Sequence, residues 1–400
     1  MATGLLSTAV LPQDLAAKSF SAMLTRLMPN GTAPLFALTS LLKEETASGI
    51  EHGYYTKTMI FPSVTLTVAV ADGVATTFTV ASTTDITPGD LLRADSTGEI
   101  VIVNTVPSTT SITVTRAVGT VAGAAIGNTV SLFHIGNAFE QGSTRPSAVA
   151  LVATRYINYT QIFRNSWAVT KTLAALPLIA GDGQVAESRR DCATFHALSI
   201  EKALFFGQKF QGTRNSQPFQ TMEGIIARIT SAAPSNITTL GATTNWTQLE
   251  AALDPTLAVQ TDATSGNIRT MFVGGVARRV IHNIARLNST YQITGTETSW
   301  GMQIDTIRTP RGTFEMIEHP IFNAYGNAST WAKMAIIVDL NAFAIAYLRK
   351  TEDMEYNANG TPVDNGIDAR GGTLTTELTC LIKNPAAFGQ LLNFTAAAAG

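Results

Sequence analysis

The chain has 400 residues, 45% hydrophobic and only 14% charged, with a net charge of −2, where globular chains carry about a quarter charged residues. That length argues for about two to three domains. No basic run gives the footprint of a tight nucleic-acid binder, and no apolar run approaches the roughly 18 residues of a membrane-spanning helix.

Thr, Ser, Asn, Ala and Gly replace the missing charge. This fits a surface buried against other copies of the chain, or a low-charge β-rich protein. Cys192 and Cys380 have neither metal-ligand spacing nor partners for a disulfide framework, so both are expected as reduced core thiols. The N-terminus lacks a basic region ahead of its apolar stretch, so secretion is not expected.

Residues 1–50 read as an arm. Leu15, Phe20, Met23, Leu24 and Leu27 share a helical stripe, broken by Pro29-Asn30-Gly31 and Pro34. That stripe needs a surface, on its own domain or on a neighbour. Residues 53–61 alternate like a strand. Six short strands follow: VTLTVAVA (64–71), TTFTVA (76–81), DLLRA (90–94), EIVIVNTV (99–106), SITVTRA (111–117) and TVSLFHI (129–135). Turn signals at Asp72-Gly73, Pro88-Gly89-Asp90, Asp95-Ser96-Thr97-Gly98 and Pro107-Ser108 divide them. This pattern predicts a small antiparallel barrel or sandwich. Strand-rich sequence returns at 155–172. The simplest arrangement is a long hairpin, 53–62 paired with about 148–172, carrying the β-module at its tip and Arg164 and Trp167 along its length.

A long helix follows, some 23 residues and roughly 35 Å. Asp182 is expected to cap its start, and Gly207 to end it in a left-handed conformation. Cys192, Phe195, Ser199, Ala203 and Phe206 form one stripe, and Ala193, Ala197, Ile200 and Leu204 its neighbour. Glu187, Arg190, Asp191, Glu201 and Lys202 fall mostly off that face. Beyond it, 246–257 reads as a short helix and MFVGG (271–275) as a buried strand entering a helix at 276–287. MQIDTIRT and GTFEMIEH read as strands paired around Pro310-Arg311-Gly312. A polar Gly/Asn loop precedes the closing strand, and the final AAAAG is expected to fray. Helices and antiparallel strands mix without a βαβ rhythm, so the class is α+β.

Chemical motifs are sparse. Gly181-Asp182-Gly183-Gln184-Val185-Ala186 matches a dinucleotide fingerprint, but no parallel βαβ series surrounds it and Glu201 lies within the same helix. Val273-Gly274-Gly275 lacks the Lys-Ser/Thr of a phosphate loop, which makes close packing the better reason for its glycines. The five histidines form no metal motif, and no G-x-S-x-G occurs. No catalytic residue, cofactor site or metal ligand is expected, and the chain does not read as an enzyme.

Several stretches together resemble the major capsid proteins of the SU-ten-like podophages. They are LLRADSTGEIVIVNTVPSTTSITVTRAVG (91–119), GNAFEQGS (136–143), YTQIFRNSWAVTKT (159–172), ALSIEKALFFG (197–207) and TMEGI (221–225). The ending LTCLIKNPAAF (378–388) is similar to the closing strand and Pro-x-Ala-Phe turn of many tailed-phage capsid proteins. The resemblance implies an α+β Hong Kong-phage-type capsid fold with an inserted small all-β barrel or sandwich. It implies an N-terminal arm (1–50), an E-loop hairpin (51–62 and 141–172) and the β-insertion (63–140). The P-domain is implied at 173–230 and 372–395, with a spine helix at 186–206. The A-domain would span 231–348, a polar loop (349–371) would link A- and P-domains, and 396–400 would be a tail.

The implied function is a major capsid protein that self-assembles through hexamers and pentamers into the icosahedral head of a tailed double-stranded DNA bacteriophage. Alternatives are a secreted or virion-surface adhesin or decoration protein, and an encapsulin-like cargo shell. Expected partners are other copies, a separate scaffolding protein, a portal, a decoration protein and weakly, non-specifically held DNA, with no membrane. The expected location is the virion, after assembly in the host cytoplasm. From their positions, Phe20 and Leu24 on the arm and Tyr55, Lys57, Arg155, Arg164 and Trp167 on the hairpin are the candidate subunit contacts.

Overall fold

The computed structural model describes residues 34–39, 44–57, 61–146, 150–176, 183–259, 267–287, 294–299, 302–355 and 368–398. Phe20 and Leu24, the rest of the arm stripe, and Asp182 lie outside these residues. The described chain forms two compact units, one of residues Tyr55–Arg155 and one of the chain on either side.

The flanking unit opens with α1 (Pro34–Thr39), β1 (Glu45–Thr46) and β2 (Glu51–Thr56). The chain then enters the other unit through β3 (Ser63–Thr65), β4 (Thr77–Thr79), β5 (Asp90–Ala94), β6 (Ile100–Ser108), β7 (Ser111–Thr115) and β8 (Ser131–Asn137). These form one sheet in the order β3-β8-β5-β6-β7-β4. Backbone bonds from Thr67 N to Thr79 O (3.0 Å) and Ala81 N to Thr65 O (2.9 Å) tie the last strand to the first. The module is therefore a closed barrel, one of the two forms the turn spacing predicts. Alternate residues point inward and fill it, including Phe78, Leu92, Val101, Val103, Ile112, Val114 and Leu132. Glu99 is fully buried in this module and accepts two bonds from Arg116 (2.9 and 2.5 Å) and one from Ala117 N (3.1 Å).

The chain returns along β9 (Thr154–Tyr159), which pairs with β2 in a two-stranded hairpin. Next come β10 (Gln161–Thr170), α2 (Lys171–Ala175) and the long α3 (Gln184–Phe206). Here the structure corrects the sequence reading: the hairpin ends at Tyr159. Every residue of β10 pairs antiparallel with a C-terminal strand, from Gln161 opposite Leu378 to Thr170 opposite Ala369. The reason is its one-sided pattern. Phe163, Trp167 and Val169 are buried while their neighbours are exposed, so β10 needs a covered face that an isolated hairpin lacks.

The ends of α3 also differ from expectation. Its start is flanked by Gly183 (φ 108°), with no side-chain cap. Gly207 is extended (φ −56°, ψ 148°) rather than left-handed. Its glycine is required by crowding, because a Cβ would lie 2.5 Å from Ala203 O and 2.7 Å from Met222 O.

Beyond α3 come β11 (Phe210–Arg214), β12 (Gln217–Thr221), α4 (Ile225–Ala232), β13 (Ile237–Thr239), β14 (Thr243–Thr244) and α5 (Trp246–Leu253). They are followed by β15 (Ile268–Val273), α6 (Gly275–Leu287), β16 (Thr294–Ser299), β17 (Met302–Thr309), β18 (Gly312–Glu318) and α7 (Pro320–Asn323). The chain closes with β19 (Ala335–Val338), β20 (Phe343–Glu355), β21 (Ala369–Ile382), β22 (Gly389–Leu392) and β23 (Ala396–Ala397). Two larger sheets result: β1-β20-β21-β10, and the seven-stranded β13-β22-β19-β15-β18-β17-β16.

The centre of the seven-stranded sheet is covered on both faces, which explains why β15 and β19 are buried along nearly their whole length. Phe272, Ile336 and Val338 point into the core shared with α3 and α4. Met271, Val273, Ala335 and Ile337 point into a second core under α5 and α6. Gly274 gives close packing, since a Cβ there would meet Ala332 O at 2.4 Å.

Two further expectations need correction. Both described ends of the proposed linking loop 349–371 are strand, because β20 runs to Glu355 and β21 starts at Ala369; the residues between lie outside those described. In the proposed tail, Ala396 and Ala397 pair with Thr243 and Thr244.

Candidate assembly surfaces

The spine-like α3 packs on β10 and β21 with a face that its apolar residues only partly predict. The residues it buries are Cys192, His196, Ile200, Glu201, Leu204 and Phe205. Phe195, expected on that face, is 62% exposed. His196 is satisfied from both sides, by Asn165 Oδ1 (2.9 Å) and Thr376 Oγ1 (2.7 Å), and burial lowers its pKa below the ordinary histidine value.

Glu201, expected off the face, is fully buried. Its carboxylate accepts the first-turn amides of α1, Leu35 N and Phe36 N, each at 2.8 Å. It also accepts His319 Nε2 at 2.8 Å. Ile321 N donates to His319 Nδ1 (3.2 Å), so Nε2 carries the hydrogen given to Glu201. The imidazole lies stacked on Phe322 and edge-on to Phe205 and Phe272. One carboxylate thus fastens α1 to the long helix and to the end of β18. It does so by satisfying helix-start amides that would otherwise be orphaned. Sequence periodicity missed this because its partners lie 166 and 118 residues away.

The base of the β2–β9 hairpin is fastened by aromatic rings and cations. Arg228 lies 3.7 Å from the centre of the Tyr156 ring and donates to Tyr54 Oη (3.3 Å). Tyr54 donates to Ile382 O, and Tyr156 to Glu223 Oε2. Burial, with the Glu223 carboxylate beside it, raises the Tyr156 phenol above its usual range. Lys209 donates to Ile157 O (2.6 Å) and faces the Tyr159 ring at 5.0 Å. Asn158, also buried, donates to Glu223 O (3.1 Å) and Cys380 O (2.9 Å) and accepts Glu223 N (2.8 Å). The hairpin therefore leaves the body from a rigid root. None of Arg228, Glu223 or Lys209 was singled out from sequence. Of these only Glu223 falls in a stretch quoted for the resemblance, TMEGI (221–225).

Of the candidate contacts, Tyr55 is 71% exposed on β2, Lys57 is exposed just past its end, and Arg155 is exposed on β9. Arg164 is exposed on β10, away from the hairpin. Trp167 does not belong with them. It is 3% exposed and packs on Cys192 and Leu374, with Arg189 over its ring. Its indole is core within this chain. The sequence reading also missed β11–β12, a two-stranded hairpin whose Phe210 (55% exposed) and Phe219 (37%) lie ring to ring at 6.3 Å. Among the described residues no helix is long and apolar enough to cross a membrane.

Comparison with known proteins places the chain in a family. The description of the SU10 major capsid protein matches residues 3–395. The chain is similar to a major capsid protein of Pseudomonas phage PaMx41, 36% identical over 397 residues, covering 96% of this chain and 93% of that protein. Its fold aligns with a chain of Gordonia phage Cozz (TM-score 0.47, 13% identity, 100% of this chain and 98% of the other). It also aligns with one of Mycobacterium phage Cain (TM-score 0.48, 8% identity, 99% and 100%). The family match and the relative at 36% identity each span nearly the whole chain, and on them this protein belongs to the SU10 major capsid protein family.

Proposed function

We propose that copies of this capsid protein build the icosahedral head of a tailed double-stranded DNA phage through hexamers and pentamers. The surface carrying this reading is the β2–β9 hairpin and the chain beyond it. Outside the barrel, its described residues join no apolar core cluster, yet they expose Tyr55, Phe61, Leu151 and Val152. A two-stranded element is marginal alone and gains stability on a partner, and apolar residues displayed this way mark an interaction site. In this reading residues 51–62 and 141–159 act as the E-loop and lie across a neighbour. The seven-stranded sheet with α5 and α6 is the A-domain, and α3 with the four-stranded sheet is the P-domain.

A separate scaffolding protein, a portal and a decoration protein join the assembly, which takes place in the host cytoplasm. DNA is held weakly, because a lumen gripping many phosphates would hinder packing and release. The chain acts through contacts, without catalysis. Negative-stain electron microscopy and light scattering of the purified protein, alone and with the scaffold, test this reading. Closed shells, tubes, or rings of five and six are expected. A subunit that stays monomeric at high concentration in both settings would refute it and favour a surface-binding adhesin. Shells co-purifying with one enzyme would point to a cargo compartment.

A further inference from the structure

The sheet edges of this chain are not alike. The barrel closes on itself and has none. The four-stranded sheet ends on one side in β1, two residues long, and the seven-stranded sheet on one side in β13, three residues long. Short edges of this kind are how proteins avoid pairing with strangers. The other side of the four-stranded sheet is β10, ten residues paired with β21 without a bulge. It is the longest edge strand among the described residues. Near Gln161 it is covered, since Gln161 Oε1 accepts Met222 N (3.1 Å). From Phe163 to Val169, β21 is its only backbone neighbour among the described residues. Proline is absent from it and Arg164 is its single charge. A long, regular, unguarded edge is a template for one more strand.

We propose that this edge is the seat of an extended segment from a second copy of the chain, residues 3–11, which adds as a fifth strand. Three observations select that occupant. The segment Thr-Gly-Leu-Leu-Ser-Thr-Ala-Val-Leu carries no charge, contains β-branched Thr3, Thr8 and Val10, and is bounded by Pro12. Its nine residues are enough to span the free run from Phe163 to Val169. Its tether is placed for it, because the arm joins the body at Leu35 and Phe36, held on Glu201 of α3, the helix that packs on β10. With the stripe at 15–27 helical, the intervening residues 12–33 can still reach roughly 50 Å, longer than the roughly 35 Å of α3.

Main-chain bonds supply the affinity in such an addition, and alternate side chains set the register. The inference deepens the proposed assembly function and rests on it, by giving the arm a named receptor on the neighbour.

Cysteine pairing tests it in the full chain. Ser166→Cys, exposed on β10, is combined in turn with Leu5→Cys, Ser7→Cys and Ala9→Cys, and shells are oxidised and run on a non-reducing gel. The native Cys192 and Cys380 are buried, which keeps the background low. At least one pair is expected to give a ladder of covalent dimers and higher multimers that neither single variant gives, since every subunit both donates and receives a strand. Shells that yield only monomers, with or without an internal disulfide, overturn the inference. A second variant lacking residues 2–12 is expected to keep the melting profile of the subunit and lose shells. Normal shells from it overturn the inference too. If the unaltered protein makes no shells, the assembly reading itself fails, an outcome distinct from shells without crosslinks.

Discussion

Replacing Glu201 by Gln is expected to free α1 while leaving the rest of the subunit folded. The carboxylate accepts three bonds, all at 2.8 Å, and is fully buried. Gln keeps one oxygen. Its amide nitrogen must then face either a backbone N–H of α1 or the N–H of His319, a donor against a donor. Losing charge-assisted acceptance and setting two donors opposite each other costs about 3 kcal/mol, a roughly 150-fold rise in the undocked fraction of α1. The Leu35 and Phe36 amides report this directly, because Glu201 is their acceptor. Hydrogen exchange by mass spectrometry on peptides covering residues 34–39 should therefore accelerate by about two orders of magnitude. Amides of β21 should be unaffected. Equal rates in variant and parent would show that the carboxylate does not hold α1. Acceleration spread evenly over β21 would show that it holds the whole core instead.

Trp167→Ala removes a buried indole packed on Cys192 and Leu374 and should cost about 3–5 kcal/mol, read as a lower denaturation midpoint. A loss of assembly with unchanged midpoint would return Trp167 to the subunit contacts. In the barrel, burial alone would raise the Glu99 carboxyl, but Arg116 and the Ala117 and Ala124 amides outweigh it and hold its pKa below the ordinary 4.5. The folded pKa is depressed, so this stability is present above 4.5 and lost as pH falls through the lower folded value. Acid titration of the isolated barrel should show that loss, and Glu99→Gln should flatten it. Burial pushes the Cys380 thiol up to about 12 and raises that of Cys192. The folded chain then holds protons that the unfolded chain releases near pH 9, so stability should fall as pH rises from 9 towards 12, and Cys380→Ser should reduce the slope. A thiol reagent should label neither cysteine at pH 8 until the protein is denatured. Rapid labelling of the native protein would contradict both placements.

The elements most legible in the sequence were those with one strong period and near partners. Each of the six barrel strands overlaps one of the alternating runs, three of them lying wholly within it, and the strand–glycine–helix at 271–287 formed as its pattern implies. What sequence could not assign was the partner of a strand. The run 161–170 alternates as well in a sheet as in a hairpin, and only the one-sided burial of Phe163, Trp167 and Val169 decides between them. Glu201 was misplaced for a related reason. A helical wheel treats charge as a sign of solvent, but a carboxylate can be the cap of a helix distant in sequence. The root of the hairpin was invisible because Tyr54, Tyr156, Arg228 and Glu223 come together only in the fold.

The pairing of β2 with β9 has one more consequence. The chain leaves the body on β2, spends residues 55–155 elsewhere and comes back on the strand beside it. Removing the barrel would leave two ends already side by side, so closing them needs no rearrangement of the body. Exchanging it for a longer insert adds only about 0.6 kcal/mol of loop-closure entropy for each doubling of length. The position is a socket: what is plugged into it can change in size and chemistry over evolutionary time, or by splicing, while Tyr54, Tyr156 and Arg228 keep its rim unchanged.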